Sequence, residues 1–142
     1  MKTIVYTLIG IIILVIGTSS SCRKEKSDGL VTINNANYTI NVRILFNYPD
    51  TTLEMGENCL DCTADIEPNT LKEHFFFPNN RYNWSTIIAD RNSHSTLTMF
   101  VIHRDTLDKY SFEQIQQDYN ILKRYDLSVE DLENQNWTIT YP

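Results

Sequence analysis

The chain has 142 residues, of which 42% are hydrophobic and 11% aromatic, and its formal net charge is -6. This apolar content is sufficient for a folded core, and the negative charge excludes the basic footprint of a nucleic-acid-binding protein. Of only four glycines, Gly10 and Gly17 lie in an apolar N-terminal segment. The rest of the chain therefore offers no glycine-rich loop for a nucleotide phosphate.

The first predicted element is an export signal in residues 1–21. After a basic residue comes an uncharged apolar run from Ile4 to Gly17, which spans about 21 Å as a helix and falls short of a ~30 Å hydrocarbon core. Small residues follow, and Cys22 stands at the junction. This pattern resembles the signal of bacterial lipoproteins. The resemblance implies cleavage before Cys22 and lipid attachment to its thiol, and an ordinary cleaved signal is the alternative.

Residues 22–29 form the predicted lipidated cysteine and tether, and residues 30–142 form a single predicted globular domain. The tether is charged and has no apolar side chain after Cys22, and it extends to at most about 25 Å. Two or three acyl chains hold a protein stably at a bilayer, whereas one chain holds it only marginally. We therefore expect the domain to remain close to a membrane surface.

The domain begins with alternating patterns that are typical of strands. Apolar residues alternate with polar ones at Val31 and Ile33, and again on every second position from Tyr38 to Tyr48. This alternation predicts two half-buried antiparallel strands joined as a hairpin. Residues 54–69 are acidic and follow neither period, so we predict a long surface loop there.

The later elements are predicted from strand periodicity and from helix caps. Strands are expected over 71–77, 96–103, 121–127 and 137–141, the second of them buried on both faces. One short helix is expected over 84–89, and Ser111 and Ser128 are each expected to cap another. The predicted fold class is α+β, mainly β, with an antiparallel sheet or a sandwich-like domain and two or three short helices.

Cys59 and Cys62 form a C-x-x-C pair within the acidic loop. In an exported protein we interpret the pair as a disulfide that contributes about 2 kcal/mol in the chain-entropy model. The alternative, a thiol-disulfide oxidoreductase, needs a cation or a helix N-terminus beside the thiol, and this loop offers carboxylates. His74, His94 and His103 have no spacing suited to zinc, and the carboxylates match no calcium loop. We therefore predict no metal site and no cofactor.

The sequence contains no complete motif for catalysis. His103-Arg104-Asp105 matches a kinase tripeptide, but the chain lacks the other kinase motifs and any nucleophile elbow. We interpret the tripeptide as the end of a strand followed by a capping Asp105. The expectation is a protein with no catalytic residues.

Aromatic side chains are the abundant group with a possible role in recognition, because flat rings stack on sugars and on partner proteins. Their alternation with aliphatic residues favours a place in the core instead. The residues concerned are Tyr38, Tyr48, Tyr82, Tyr110, Tyr119, Tyr125, Tyr141, Trp84 and Trp137.

The C-terminal third resembles the tail of small lipoproteins of Bacteroides-type bacteria. The similar segments are Asp105-Thr106-Leu107, Lys109-Tyr110-Ser111, Ile121 to Ser128, and Asn136 to Pro142. The resemblance implies an outer-membrane or cell-surface location, lipid-anchored, with a periplasm-facing placement as the other option. It implies no activity. It also implies O-glycosylation at Asp-Thr motifs, which makes Thr51 and Thr106 candidate sites, although Asp-Thr also suits an ordinary turn or helix start.

These patterns together predict a membrane-anchored exported lipoprotein that acts as a non-catalytic surface or periplasmic binding or structural protein. Its expected partners are the membrane, through the lipid on Cys22, and a protein or glycan of unknown identity, but not nucleic acid. The alternatives are a thiol-disulfide oxidoreductase that uses Cys59 and Cys62, and a glycan-binding accessory protein.

Overall fold

Two β-sheets that share a hydrophobic core make up most of the fold. The computed structural model describes residues 29–46, 48–49, 53, 62–74, 83–91 and 93–142. The strands in these ranges are β1 (Leu30–Asn34), β2 (Ile40–Leu45), β3 (Thr63–Ile66), β4 (Thr70–His74), β5 (Thr96–His103), β6 (Lys123–Ser128) and β7 (Thr138–Tyr141). The helices are α1 (Trp84–Arg91), α2 (Arg104–Lys109), α3 (Phe112–Asp118) and α4 (Val129–Asn134). The predicted fold class, α+β and mainly β, is confirmed, and the described residues hold one helix more than the upper expectation.

The strands form one sheet of three and one sheet of four. The three-stranded sheet has the order β4-β1-β7, in which β1 pairs antiparallel with β4 and parallel with β7. The four-stranded sheet has the order β3-β2-β5-β6 and is antiparallel throughout. The predicted sheet geometry therefore holds for the larger sheet, and the smaller one adds a parallel pair at the chain terminus.

The four-stranded sheet is covered on both faces, as the sequence of β5 predicts. On one face Val42, Met99 and Val101 join a cluster that also contains Leu30 and Ile139 of the smaller sheet. The opposite face contributes Leu45, Phe100 and Ile102 to a second cluster, which Ile115 of α3 completes. Each such aliphatic or aromatic side chain contributes about 1.5–3 kcal/mol when it is fully buried.

The predicted hairpin between the first two strands is wrong, because β1 and β2 belong to different sheets. Asn34 is fully buried at the end of β1. Its amide nitrogen donates to the carbonyls of Tyr38 and Ile66, both at 2.9 Å, and its oxygen accepts from the Ala36 N–H at 3.0 Å. These bonds form a corner that directs the chain from the smaller sheet into the larger one.

Residues 54–69, predicted as a long loop, contain a strand in their described part. Thr63–Ile66 forms β3 and pairs with β2 at the edge of the larger sheet. Ile66 is buried, whereas the other residues of β3 are exposed or half-buried. An edge strand with a single buried residue carries little alternation, which explains why its sequence gave no signal. Residues 54–61 lie outside the described residues.

The helix caps at Ser111 and Ser128 are confirmed. Ser111 accepts from the Gln114 N–H, and Ser128 forms a reciprocal capping box with Asp131. Helix α2 is an addition to the prediction, and its cap differs from the expected one. The Nδ1 atom of His103 accepts from the Asp105 N–H, so His103 is the cap and Asp105 is already in the first turn.

One predicted strand is shorter than expected. The alternation that continues to Tyr48 ends as a strand at Leu45. The strand predicted over 71–77 is β4, Thr70–His74, and residues 75–77 lie outside the described residues.

Candidate functional site

An open cleft of about 420 Å³ lies where β5 ends and α2 begins. Its lining side chains come from the end of β5, from α2 and from the segments that follow α2 and α3. They are His103, Asp105, Thr106, Lys109, Tyr110 and Asn120. Every one of them carries a polar group, and the volume lies within the usual range for small-ligand pockets.

His103 is held in the cleft wall by two contacts. Its ring stacks on Tyr38, with ring centroids 4.6 Å apart and an angle of 27° between the planes. Its Nδ1 atom accepts the Asp105 N–H at 3.2 Å. When the ring is neutral, this bond places the proton on Nε2, which remains as the donor. The imidazole therefore has a fixed orientation and one free polar atom.

Helix α2 forms the charged wall of the cleft. Asp105 and Lys109 are four residues apart and share one face of the helix. Among the described residues neither of them forms an ion pair, and both side chains are exposed. The cleft therefore presents one carboxylate and one ammonium group to a ligand.

Arg104 fastens the start of α2 to the larger sheet. Its guanidinium contacts Asp65 of β3 at 2.9 Å and Asp108 of α2 at 2.6 Å. These carboxylates, Asp65 first, raise the pKa of Arg104. The Arg104 N–H also donates to the carbonyl of Thr39 at 3.1 Å. Arg104, the first residue of α2, thus holds the helix to Asp65 and Thr39.

Tyr110 and Asn120 form the remaining wall. The Tyr110 N–H donates to the carbonyl of Thr106 at 3.1 Å and ends α2, while the ring of Tyr110 is 43% exposed. The Asn120 N–H donates to the carbonyl of Ile115 at 3.0 Å, after Tyr119 has taken a left-handed conformation with φ 50°. Backbone bonds therefore fix both residues and leave their side chains available.

A group of tyrosines connects the cleft wall to the smaller sheet. The hydroxyls of Tyr38 and Tyr141 are 2.8 Å apart, and the Tyr125 hydroxyl donates to the carbonyl of Thr140 at 2.9 Å. Burial, followed by the hydrogen bond to Tyr38, raises the pKa of Tyr141 to about 12. The neutral phenol is therefore the form that suits this packing.

The structure places one predicted site residue in the cleft, Thr106. Cys62 is disulfide-bonded and only 1% exposed. Its partner is not among the described residues, so the pairing with Cys59 stays a prediction. Cys22 and Thr51 also lie outside the described residues, and their proposed modifications remain predictions as well.

The aromatic residues divide between core and surface. Trp84, Trp137 and Tyr141 are buried, whereas Tyr110 and Tyr119 are 43% and 46% exposed. Of the aromatic candidates, Tyr110 is the one in the cleft lining. The described rings thus favour the core interpretation for most positions and a recognition role for Tyr110.

The three histidines occupy different settings. His74 is fully buried, and its Nε2 atom lies 3.0 Å from the Thr32 hydroxyl. His94 packs edge-on against Tyr48, with ring centroids 5.6 Å apart. His103 alone lines the cleft. His74 is therefore a buried member of the smaller sheet, and His103 is the histidine that lines the cleft.

Lys109 and Asn120 were not predicted as site residues, and Tyr110 was predicted only as one of the aromatic residues with a possible role in recognition. Asp105 and Lys109 are brought onto one face only by α2, and α2 has no buried residue that would mark it in the sequence. Asn120 joins them through the packing of α3, at a distance along the chain that no local motif covers.

The last observations on the site concern metal ions, membrane spans and similarity to known proteins. Within it, no group of three or more His, Cys, Asp or Glu side chains is arranged to hold a metal ion. None of the described helices has the length and apolar character needed to cross a membrane. No family model, curated protein sequence or solved structure matches the chain.

Proposed function

We propose that the protein is an exported lipoprotein that is held at the outer membrane or cell surface by lipid on Cys22 and binds a partner without converting it. The observation that carries the binding role is the cleft between β5 and α2. Its walls are fixed by the Tyr38 stack, the Arg104 ion pairs and the bond that ends α2 at Tyr110. Rigid walls of this kind reduce the ordering cost of binding.

The cleft presents hydrogen-bond donors and acceptors that a ligand can contact. Asp105 accepts hydrogen bonds, Lys109 donates them, and Asn120 does both. Among the described residues neither Asp105 nor Lys109 forms an ion pair. A ligand would therefore replace water at these groups without first breaking an internal ion pair.

Strand β1 begins at Leu30, directly after the tether that is predicted over residues 22–29. That tether reaches at most about 25 Å. It would deliver the start of β1, and with it the smaller sheet, close to the membrane surface.

The alternative role as a thiol-disulfide oxidoreductase is less favoured. An exchange catalyst lowers the pKa of its attacking thiol with a cation or a helix N-terminus, whereas the segment around Cys59 and Cys62 carries carboxylates. Cys62 is disulfide-bonded and 1% exposed, which agrees with a structural bond.

The binding role can be tested by site-specific cross-linking in intact cells. The photoreactive residue p-benzoylphenylalanine is placed at position 110 in the cleft, and at position 71 as the control. Both native side chains are exposed, Tyr110 by 43% and Leu71 by 63%, and Leu71 lies in β4 of the other sheet. We expect an adduct of defined mass from position 110 that position 71 does not give.

Equal labelling from the two positions, or no adduct from position 110, would contradict the proposed role. Thermal unfolding of each purified protein checks that the replacements leave the fold intact. Because both positions are exposed, a change in stability beyond about 0.5 kcal/mol is not expected.

A further inference from the structure

We infer that the cleft between β5 and α2 binds a neutral saccharide. This inference rests on the proposed function, because it names the ligand class of that same site. Three properties of the lining carry it: its charge balance, its mixture of hydrogen-bond donors and acceptors, and an exposed aromatic ring.

The charges of the lining cancel. Asp105 supplies one negative charge and Lys109 one positive charge, and the other lining residues are uncharged in their ordinary states when His103 is neutral. A cleft that selects a phosphate or a carboxylate would be expected to carry a positive excess. The lining therefore favours a ligand without net charge.

The hydrogen-bonding groups suit hydroxyls. A hydroxyl donates one bond and accepts others, so neighbouring hydroxyls of a sugar can use acceptors and donors on the same wall. Asp105 provides acceptors, Lys109 provides donors one helical turn away, and Asn120 provides both. A vicinal diol can donate one hydrogen bond to Asp105 and accept another from Lys109.

Tyr110 supplies the apolar contact that such a ligand also needs. The ring is 43% exposed and lines the cleft. One face of a pyranose carries mainly C–H groups, and these pack on an aromatic ring while the hydroxyls around the edge reach polar side chains. Thr106 lines the same cleft.

Saturation-transfer difference NMR on the full-length protein, extracted from membranes, tests this inference. The probes are the methyl glycosides of glucose, galactose, mannose and N-acetylglucosamine, with the zwitterion glycylglycine and methyl phosphate as charged comparators that also carry C–H protons. We expect transfer to C–H protons of at least one glycoside and none to the comparators. Because glycosylation of Thr106 would fill the cleft, the Thr106→Ala protein is measured in parallel, and intact mass shows which form is present.

Variants assign the signal to the cleft. Tyr110→Ala and Asn120→Ala should each weaken glycoside binding by about tenfold, the loss expected when a stacking contact or a good hydrogen bond is removed. Leu71→Ala, an exposed change on the other sheet, should leave affinity unchanged. Circular dichroism and thermal unfolding show whether each variant is folded, and Tyr110→Phe, which keeps the ring, should retain most of the binding.

Transfer to glycylglycine or methyl phosphate alone, no transfer to any glycoside with either protein, or glycoside binding that survives Tyr110→Ala and Asn120→Ala in folded protein would each overturn the inference. A cleft-specific adduct from position 110, obtained together with any of these results, would leave the proposed binding function standing and exclude the saccharide as its ligand. Absence of both the adduct and the glycoside signal would remove the two together.

Discussion

Tyr38 lies nearly parallel to His103, with ring centroids 4.6 Å apart and planes 27° from each other. Tyr38 lies between β1 and β2, where the chain passes from one sheet to the other, and its hydroxyl reaches that of Tyr141 at 2.8 Å. The wall of the cleft is therefore supported by the junction between the two sheets.

Tyr38→Ala and Tyr38→Phe separate the ring stack from the hydroxyl bond. Tyr38→Phe removes a hydrogen bond worth about 1 kcal/mol and keeps the stack. Tyr38→Ala removes both and should lower the free energy of unfolding by about 2 kcal/mol or more. Urea unfolding measures the stability, and the Hε1 chemical shift of His103 should change clearly only in Tyr38→Ala. Equal shifts in the two variants would show that the stack does not hold His103.

Asn34→Ala should be one of the most destabilising single changes in the described chain. It leaves the buried carbonyls of Tyr38 and Ile66 without their 2.9 Å donors and should cost about 3 kcal/mol. The matched control is Asn35→Ala, because Asn35 is the exposed neighbour of the same residue type, and its cost should stay within about 0.5 kcal/mol. Chemical denaturation of both variants measures the difference. Similar costs for Asn34→Ala and Asn35→Ala would refute the role of Asn34 as the corner.

The raised pKa of Tyr141 predicts a loss of stability at high pH. Its pKa of about 12 in the folded protein lies above the ordinary value of 10.0, so the folded state favours the neutral phenol. The contribution is therefore complete below pH 10 and is lost as pH rises toward about 12. Tyr38 and Tyr125 also act on this hydroxyl, so the measurement is a difference between the native protein and Tyr141→Phe. The native protein should lose more stability over this pH range, and parallel curves would contradict the assignment.

The buried Cys62 predicts a disulfide that resists reduction. Titration of thiols in the native, non-reduced protein should find no reactive Cys62, because the sulfur is bonded and its residue is 1% exposed. The reduction potential should lie below about -300 mV, as in other structural disulfides. A potential near that of thioredoxin-type catalysts, together with a reactive thiol, would instead support exchange chemistry. Peptide mapping without reduction identifies whether Cys59 is the partner.

The sequence predicted those parts of the fold that local patterns encode. The apolar run in β5 indicated a strand covered on both faces, and the serines before α3 and α4 indicated helix starts. Each of these signals reflects a physical need that is met within a few residues: burial of alternating side chains or satisfaction of free N–H groups.

The parts that failed depend on contacts between distant segments. Asparagine is typical of turns. The role of Asn34 as a corner between the sheets becomes apparent only from its hydrogen bond to the carbonyl of Ile66 on β3. Helix α2 has no buried residue and is capped by His103, which is an uncommon cap. Because the sequence predicted only a cap at Asp105 and not the helix that follows, the cleft could not be predicted either, and the cap itself is His103.

The most direct test of the central claim, an anchored exported protein, is mass spectrometry of the N-terminal peptide of protein extracted from membranes. The account predicts a mature chain that begins at Cys22 and carries a diacylglycerol group on the thiol. A chain that begins near this position with an unmodified Cys22, or one that retains residues 1–21, would contradict it.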